Sequence, residues 1–272
     1  KDALERVTQF EYDALGRTIQ TIYADGTFST VEYNELGQQI ATTDQTGKRR
    51  QFEYDNANRL VKVILPEVVD PETQQVINPT YTYTYNVYGN QTRITDPKGR
   101  VTEFKYDEFG RQIARIMPER FAGDSQNRTE TMHYDSFGRT AYKLDFASNL
   151  MVASYDLYGR NYRTDKYWAS QINVEPASVV GLSADALAAQ LGSLTPDEYM
   201  TVNYDSEGRA YEMHDFKQTI DTTTKQVNGT LTELITSYTF DDLDRMTTLS
   251  QATGAITYAF DDLTGRKTAT ET

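Results

Sequence analysis

The sequence predicts an all-β fold, a repetitive ribbon of antiparallel β-hairpins with one short helical insertion. Three observations carry that prediction. A box of the form aromatic, Asp or Asn, two or three variable residues, then Gly-Arg or a near relative of it returns ten times in 272 residues. The residues flanking each box alternate in polarity with period two. The box itself has turn chemistry. Repetition of this kind decides architecture before any local reading does.

The boxes open at Tyr12, Tyr33, Tyr54, Tyr85, Tyr106, Tyr134, Tyr155, Tyr204, Phe240 and Phe260. Their glycines are Gly16, Gly37, Gly89, Gly110, Gly138, Gly159 and Gly208, and their closing arginines include Arg17, Arg59, Arg111, Arg139, Arg160 and Arg209. Asn58 replaces the glycine of the third box, and the last box, ending at Arg266, is one residue longer. These residues are read as the structural repeat. From aromatic to aromatic the spacings are 21, 21, 31, 21, 28, 21, 49, 36 and 20, so the unit is 21 residues and the longer intervals hold insertions.

Each part of the unit has its own reason. Two residues before the box aromatic stands an apolar or aromatic residue, such as Phe10, Val31, Phe52 or Phe104, which marks a strand entering the box. Asp or Asn at the second position can bond backbone two residues on, and Gly at the fifth supplies a positive φ for a bulged hairpin turn. Two residues after the box, Ile19, Ile40, Val61 and Ile113 mark a strand leaving it. The far end carries its own turn, as at Ala24-Asp25-Gly26-Thr27 or Pro97-Lys98-Gly99-Arg100. The unit is therefore two strands of about seven residues and two turns. Ten units give about twenty strands, a ribbon on the order of 100 Å along its stacking direction, which must coil because strands twist. Residues 1–272 are expected to form one continuous array, a fragment of a longer protein.

Hydrophobic residues make up only 38%, yet there are 20 Tyr and 11 Phe. This predicts an aromatic core with the box rings stacked as a ladder, each contributing roughly 2–3 kcal/mol before entropy. A net charge of −13 argues against nucleic acid and against anionic membranes. The chain has no cysteine, which excludes disulfides and thiolate metal sites. No apolar run approaches the roughly 20 residues of a helical membrane span.

Four insertions interrupt the period. Residues 65–80 hold three prolines and read as an elongated loop or hairpin tip. Residues 118–128 read as a polar loop. Residues 217–235 contain Val227-Asn228-Gly229-Thr230, a type I′ hairpin signal. In residues 167–200, Ser183 is placed to cap a helix over Ala184 to Leu191 that Gly192 stops, and Thr195-Pro196-Asp197-Glu198 predicts a further helical turn.

Signals of catalysis are sparse. The two histidines, His133 and His214, lack ligand spacing, and no nucleotide fingerprint is present. Asp13, Asp107 and Asp156 each stand four residues before a box arginine, a spacing for structural pairs rather than acid/base chemistry. No catalytic residue, metal or cofactor is assigned, and the chain is expected not to be an enzyme.

Tyr-Asp-x-x-Gly-Arg at 21-residue spacing resembles the YD repeats of bacterial rearrangement-hotspot (Rhs) proteins. Relatives of that family are the shell components of insecticidal toxin complexes and the animal teneurins. The resemblance covers Phe10 to Arg266. It implies a β-ribbon spiralling into a hollow shell or barrel that encloses a C-terminal toxin or effector domain. Export to the cell surface or beyond follows from the same resemblance. A cell-surface carbohydrate-binding or adhesion module is the alternative, with glycans as partners and aromatics near Trp168 and 217–235 as its candidate contacts. The family's self-cleavage segment has no counterpart, because Asp96-Pro97-Lys98-Gly99-Arg100 lacks the following Leu and lies mid-array. Isolated, the array is expected to self-associate through open strand edges.

Overall fold

The computed structural model describes residues 6–121, 128–172, 174–220, 227–252, 254–260 and 267–271. Contacts divide the chain into two compact units, Lys1–Asp124 and Ser125–Thr272.

In the first unit the strands are β1 (Gln9–Tyr12), β2 (Thr18–Ile22), β3 (Phe28–Tyr33), β4 (Gln39–Thr43), β5 (Arg49–Tyr54), β6 (Leu60–Ile64), β7 (Val68–Val69), β8 (Val76–Ile77), β9 (Thr80–Tyr85), β10 (Gln91–Thr95), β11 (Val101–Tyr106) and β12 (Gln112–Ile116). Strands β1 to β6 and β9 to β12 pair in chain order, each antiparallel to the last. Strands β7 and β8 form a separate small hairpin within residues 65–80.

The second unit repeats the plan with β13 (Thr129–Tyr134), β14 (Thr140–Leu144), β15 (Leu150–Tyr155), β16 (Asn161–Tyr167), β17 (Glu198–Tyr204), β18 (Ala210–Ile220), β19 (Val227–Phe240), β20 (Met246–Gln251), β21 (Gly254–Phe260) and β22 (Lys267–Glu271). These also pair antiparallel in chain order. Between β16 and β17 lie two short 3-10 turns, Ala169–Gln171 and Pro176–Val179, and α1 (Ala184–Leu191).

Ordinary repeat strands are five or six residues long, not seven. A bulge, moreover, follows every described box from the first to the ninth. Tyr12 faces Thr18 but Glu11 faces Gln20, so Ile19 is skipped. Ile40, Val61, Thr92 and Ile113 are skipped in the same way. The apolar position read as the start of an outgoing strand is thus the bulged residue, and alternation restarts on the opposite face after it.

Three further expectations are corrected. The helix over Ala184–Leu191 forms, with Ser183 Oγ accepting from Ala186 N at 3.2 Å, but no helical turn follows at Thr195. There Asp197 N donates to Lys166 O at 2.9 Å and β17 begins at Glu198, because pairing with β16 outcompetes a local cap. Asn228-Gly229 does not turn the chain. Backbone pairing runs through it from Ile220↔Val227 to Gln218↔Leu231, leaving the extra residues of β19 as a bulge, a role that also suits Gly. Residues 221–226 lie outside the described residues, as do most of 118–128 and most of the last box.

The third correction concerns the core. Among the described residues, the buried hydrophobics are Ala41, Ala114, Leu144, Leu150, Tyr167, Ile172, Val179, Ala184 and Leu187. Apart from Tyr167 these are aliphatic. The cluster Leu144, Leu150, Tyr167, Ile172, Val179 and Leu187 lies where the helical insertion covers one sheet face. From Tyr33 to Tyr204 the box tyrosines are half-buried instead, which lets hydroxyls such as those of Tyr54 and Tyr106 reach a polar partner.

Candidate functional site

Among the described residues the box residues form a polar constellation that recurs along the chain, and its Asp–Arg turn is repeated in the distal turn at Asp96 and Arg100 (2.6 Å). In the first box, Asp13 N donates to Arg17 O at 2.9 Å and Gly16 N to Asp13 O at 3.0 Å, closing a tight turn. Asp13 Oδ1 accepts from the backbone N–H of Leu15 and Arg17, both at 2.9 Å, while Oδ2 accepts from Arg17 Nε at 2.6 Å. One carboxylate therefore holds the turn's backbone and aims its arginine. The same Asp–Arg contact recurs at Asp55–Arg59, Asp107–Arg111, Asp135–Arg139, Asp156–Arg160, Asp205–Arg209 and Asp241–Arg245. Glycines 16, 37, 89, 110, 138, 159 and 208 all have φ between 76° and 88°, and Asn58 takes the position at 63°.

Hydrogen bonding holds these carboxyls below the ordinary carboxylate range. For Asp13 the largest cause is the backbone N–H of Arg17, opposed by partial desolvation and aided by the Arg17 guanidinium. For Asp55 the Arg59 side chain leads. The pairs are partly solvated, so their worth lies in geometry more than in Coulomb energy.

The arginine then reaches the next unit. Arg17 lies over the Tyr33 ring at 4.5 Å, Arg59 over Tyr85 at 4.8 Å, Arg139 over Tyr155 at 4.4 Å, Arg160 over Tyr204 at 4.7 Å and Arg209 over Phe240 at 5.0 Å. Box tyrosines also reach backwards, each hydroxyl donating to the carbonyl just past the preceding box: Tyr85 to Leu60 at 2.7 Å, Tyr155 to Thr140 at 2.9 Å and Tyr204 to Asn161 at 2.8 Å under an arginine, and Tyr54 to Gln39 at 2.9 Å and Tyr106 to Gln91 at 2.8 Å after the boxes ending in Gln38 and Asn90. Asp, Arg and the following Tyr thus form a clasp from hairpin to hairpin. Tyr12 stands on β1 with its ring largely exposed, and Tyr134 is half-buried on β13.

Two features escaped sequence reasoning although both were visible in it. Where the arginine is absent, as at Gln38 and Asn90, the aspartate is absent too, replaced by Asn34 and Asn86. Asn34 Nδ2 then donates to Gln38 Oε1 at 2.6 Å, so the charged pair is exchanged for a neutral one as a unit. The fourth box position is also apolar in most copies and projects into solvent, as at Leu15, Leu36, Tyr88, Phe109, Phe137, Tyr158 and Leu243.

Among the described residues no group of three or more His, Cys, Asp or Glu is placed to hold a metal ion. His214 has Glu233 at Nδ1 (2.5 Å) and Glu212 at Nε2 (3.0 Å), so both ring nitrogens are occupied by the protein's own carboxylates. No described helix is long and apolar enough to cross a membrane.

Fold and site together define a β-hairpin repeat protein whose recurring polar residues join one hairpin to the next. The RHS Repeat family model matches residues 1–27, 33–67 and 85–121, so these stretches are similar to Rhs, or YD, repeats. The chain is 33% identical over 104 residues to the "Probable deoxyribonuclease RhsB" of Dickeya dadantii (strain 3937), a match covering 38% of this chain. It is also 33% identical over 101 residues to the "Double-stranded DNA deaminase toxin A" of Burkholderia cenocepacia (strain H111), covering 37% of the chain. Each match spans 6% of the relative's own length. Among solved structures, the TcdB2-TccC3 complex without its hypervariable C-terminal region aligns over 96% of this chain and 16% of that one, at 12% identity and a TM-score of 0.48.

Proposed function

We propose that this chain is a non-catalytic wall segment of an exported YD-repeat shell that encloses or displays a C-terminal effector domain. The observation that supports this reading is the clasp. The polar residues that recur in the boxes are used up in holding turns and neighbouring hairpins together, which leaves a surface to build rather than a reaction to run. The test is protease treatment of the full-length parent protein. The expected result is an effector domain protected in the intact protein and digested once residues 1–272 are deleted. Digestion at the rate of the free domain in the intact protein would remove the reading.

A second reading, a carbohydrate-binding or adhesion module, is favoured by one observation. The most exposed aromatics lie in the box turns, with Tyr88 82% and Tyr158 84% exposed, while Trp168 is half-buried. A glycan array on which binding is lost with Tyr158→Ala would bring this reading forward. Under either reading the isolated chain is expected to associate with rising concentration through edges such as β1, and sedimentation velocity would report it.

A further inference from the structure

The two histidines occupy opposite surroundings. His133 projects from β13 beneath the inserted segment and is 1% exposed. Its Nδ1 lies 2.8 Å from the carbonyl oxygen of Leu182, which can only accept, so Nδ1 carries a proton and donates. Its Nε2 lies 3.0 Å from Thr131 Oγ1. Leu182 is 49 residues further along the chain, in the link between the turn Pro176–Val179 and α1. This bond ties the sheet to the insertion beside the place where Val179 and Leu187 meet Leu144, Leu150 and Tyr167.

The charged groups around it are few. Tyr142 stands directly opposite His133 on β14. Asp185 of α1 acts on the Tyr142 hydroxyl. Glu130 of β13 pairs with Lys143 of β14 at 2.7 Å. The turn Pro176–Val179 carries no titratable side chain. Neither hydrogen-bond partner of His133 is a carboxylate, so a second proton on this imidazole would put a cation in a dry site with no counterion in contact.

We propose that residues 174–192 form a lid over the apolar face of β14, β15 and β16, latched through neutral His133 and released by acidification. Burial holds the His133 pKa below its ordinary value. The closed form therefore binds fewer protons than the open form. The latch is fully held above the open-state value of about pH 6.5 and weakens as pH falls below it. With one proton coupled, the opening equilibrium rises about tenfold per pH unit in that window. His214 has the opposite sign. Glu233 and then Glu212 raise its pKa, so its clamp tightens on acidification and cannot produce the release.

The test is hydrogen exchange over 176–191, corrected for chemical exchange rates, from about pH 7.5 to about pH 5. Binding of an apolar dye follows the exposure of Leu144 and Leu150 in parallel. With only two histidines in the chain, His133→Gln and His214→Gln divide the outcomes. Opening and dye binding should rise steeply in the native protein and in His214→Gln. In His133→Gln they should be independent of pH, whether that lid stands open or shut. A native lid that does not open in this range, or a transition with an unchanged midpoint in His133→Gln, would overturn the proposal.

Discussion

In the hairpins of residues 6–121 the fully buried hydrophobics are Ala41 and Ala114, whereas around α1 they are Leu144, Leu150, Val179 and Leu187. The hairpin plan is the same in both stretches. In the first, cohesion is spread over many small polar contacts, an Asp–Arg pair here and a tyrosine hydroxyl there. In the second, an insertion of one helix and two turns gives the sheet something to bury, and cohesion is concentrated in a few aliphatic side chains. The contrast teaches that a single-layer ribbon can be held without a deep core if each hairpin grips its neighbour. A deep core then appears only where a second layer is supplied.

That contrast can be broken experimentally, beginning where the effect is greatest. Leu144→Ala should destabilise the second unit by about 2–5 kcal/mol in urea unfolding, since a buried side chain leaves a cavity. No single clasp substitution in the first unit should match it, and one that did would show that polar cohesion is not evenly shared. Next is Gly89→Ala. At φ 88°, with open space around a new Cβ, the cost is the backbone alone, about 1–2 kcal/mol by thermal unfolding. Gly89→Asn should cost less, as the chain's own Asn58 implies. Tyr106→Phe removes the 2.8 Å bond to Gln91 O and should cost about 1 kcal/mol. A double-mutant cycle on Arg139 and Tyr155 should return a coupling of about 0.5–1 kcal/mol. The smallest effect per site is that of acid. Asp13 and Asp55 have depressed folded pKa values, so their contribution is present above the unfolded carboxylate value of about 3.9 and is lost as pH falls below it. Circular dichroism of residues 1–121 should show loosening there and not near neutrality.

Much of the fold was legible because the deciding interactions are local. Asp13 bonds backbone two and four residues on, and Gly16 needs its positive φ within the same turn, so both follow from spacing. The helix over Ala184–Leu191 was legible for the same reason, through its Ser183 cap. What stayed hidden depends on partners distant in sequence. Thr195-Pro196-Asp197-Glu198 has the local form of a helix start, yet Lys166 captures it for a strand. Asn228-Gly229 has the local form of a turn, but the register of β18 sets its role. In the clasp, the Asp–Arg half lies within one box and could be anticipated. The ring that the arginine covers and the carbonyl that the tyrosine reaches lie in other hairpins, and only the paired change to Asn34 and Gln38 hinted at a joint task.

The clasp has a further consequence. It grips only at the edge of the sheet where the boxes lie. Within the first unit the insertion at 65–80, and within the second those at 167–200 and 217–235, interrupt connections at the opposite edge. In each unit one margin is therefore a hinge line, and the other is a free hem on which a hairpin or a helix can be hung without unpicking the stitches. Such a ribbon can be lengthened by whole 21-residue panels, or ornamented along its hem, and each alteration is felt chiefly by the panels on either side.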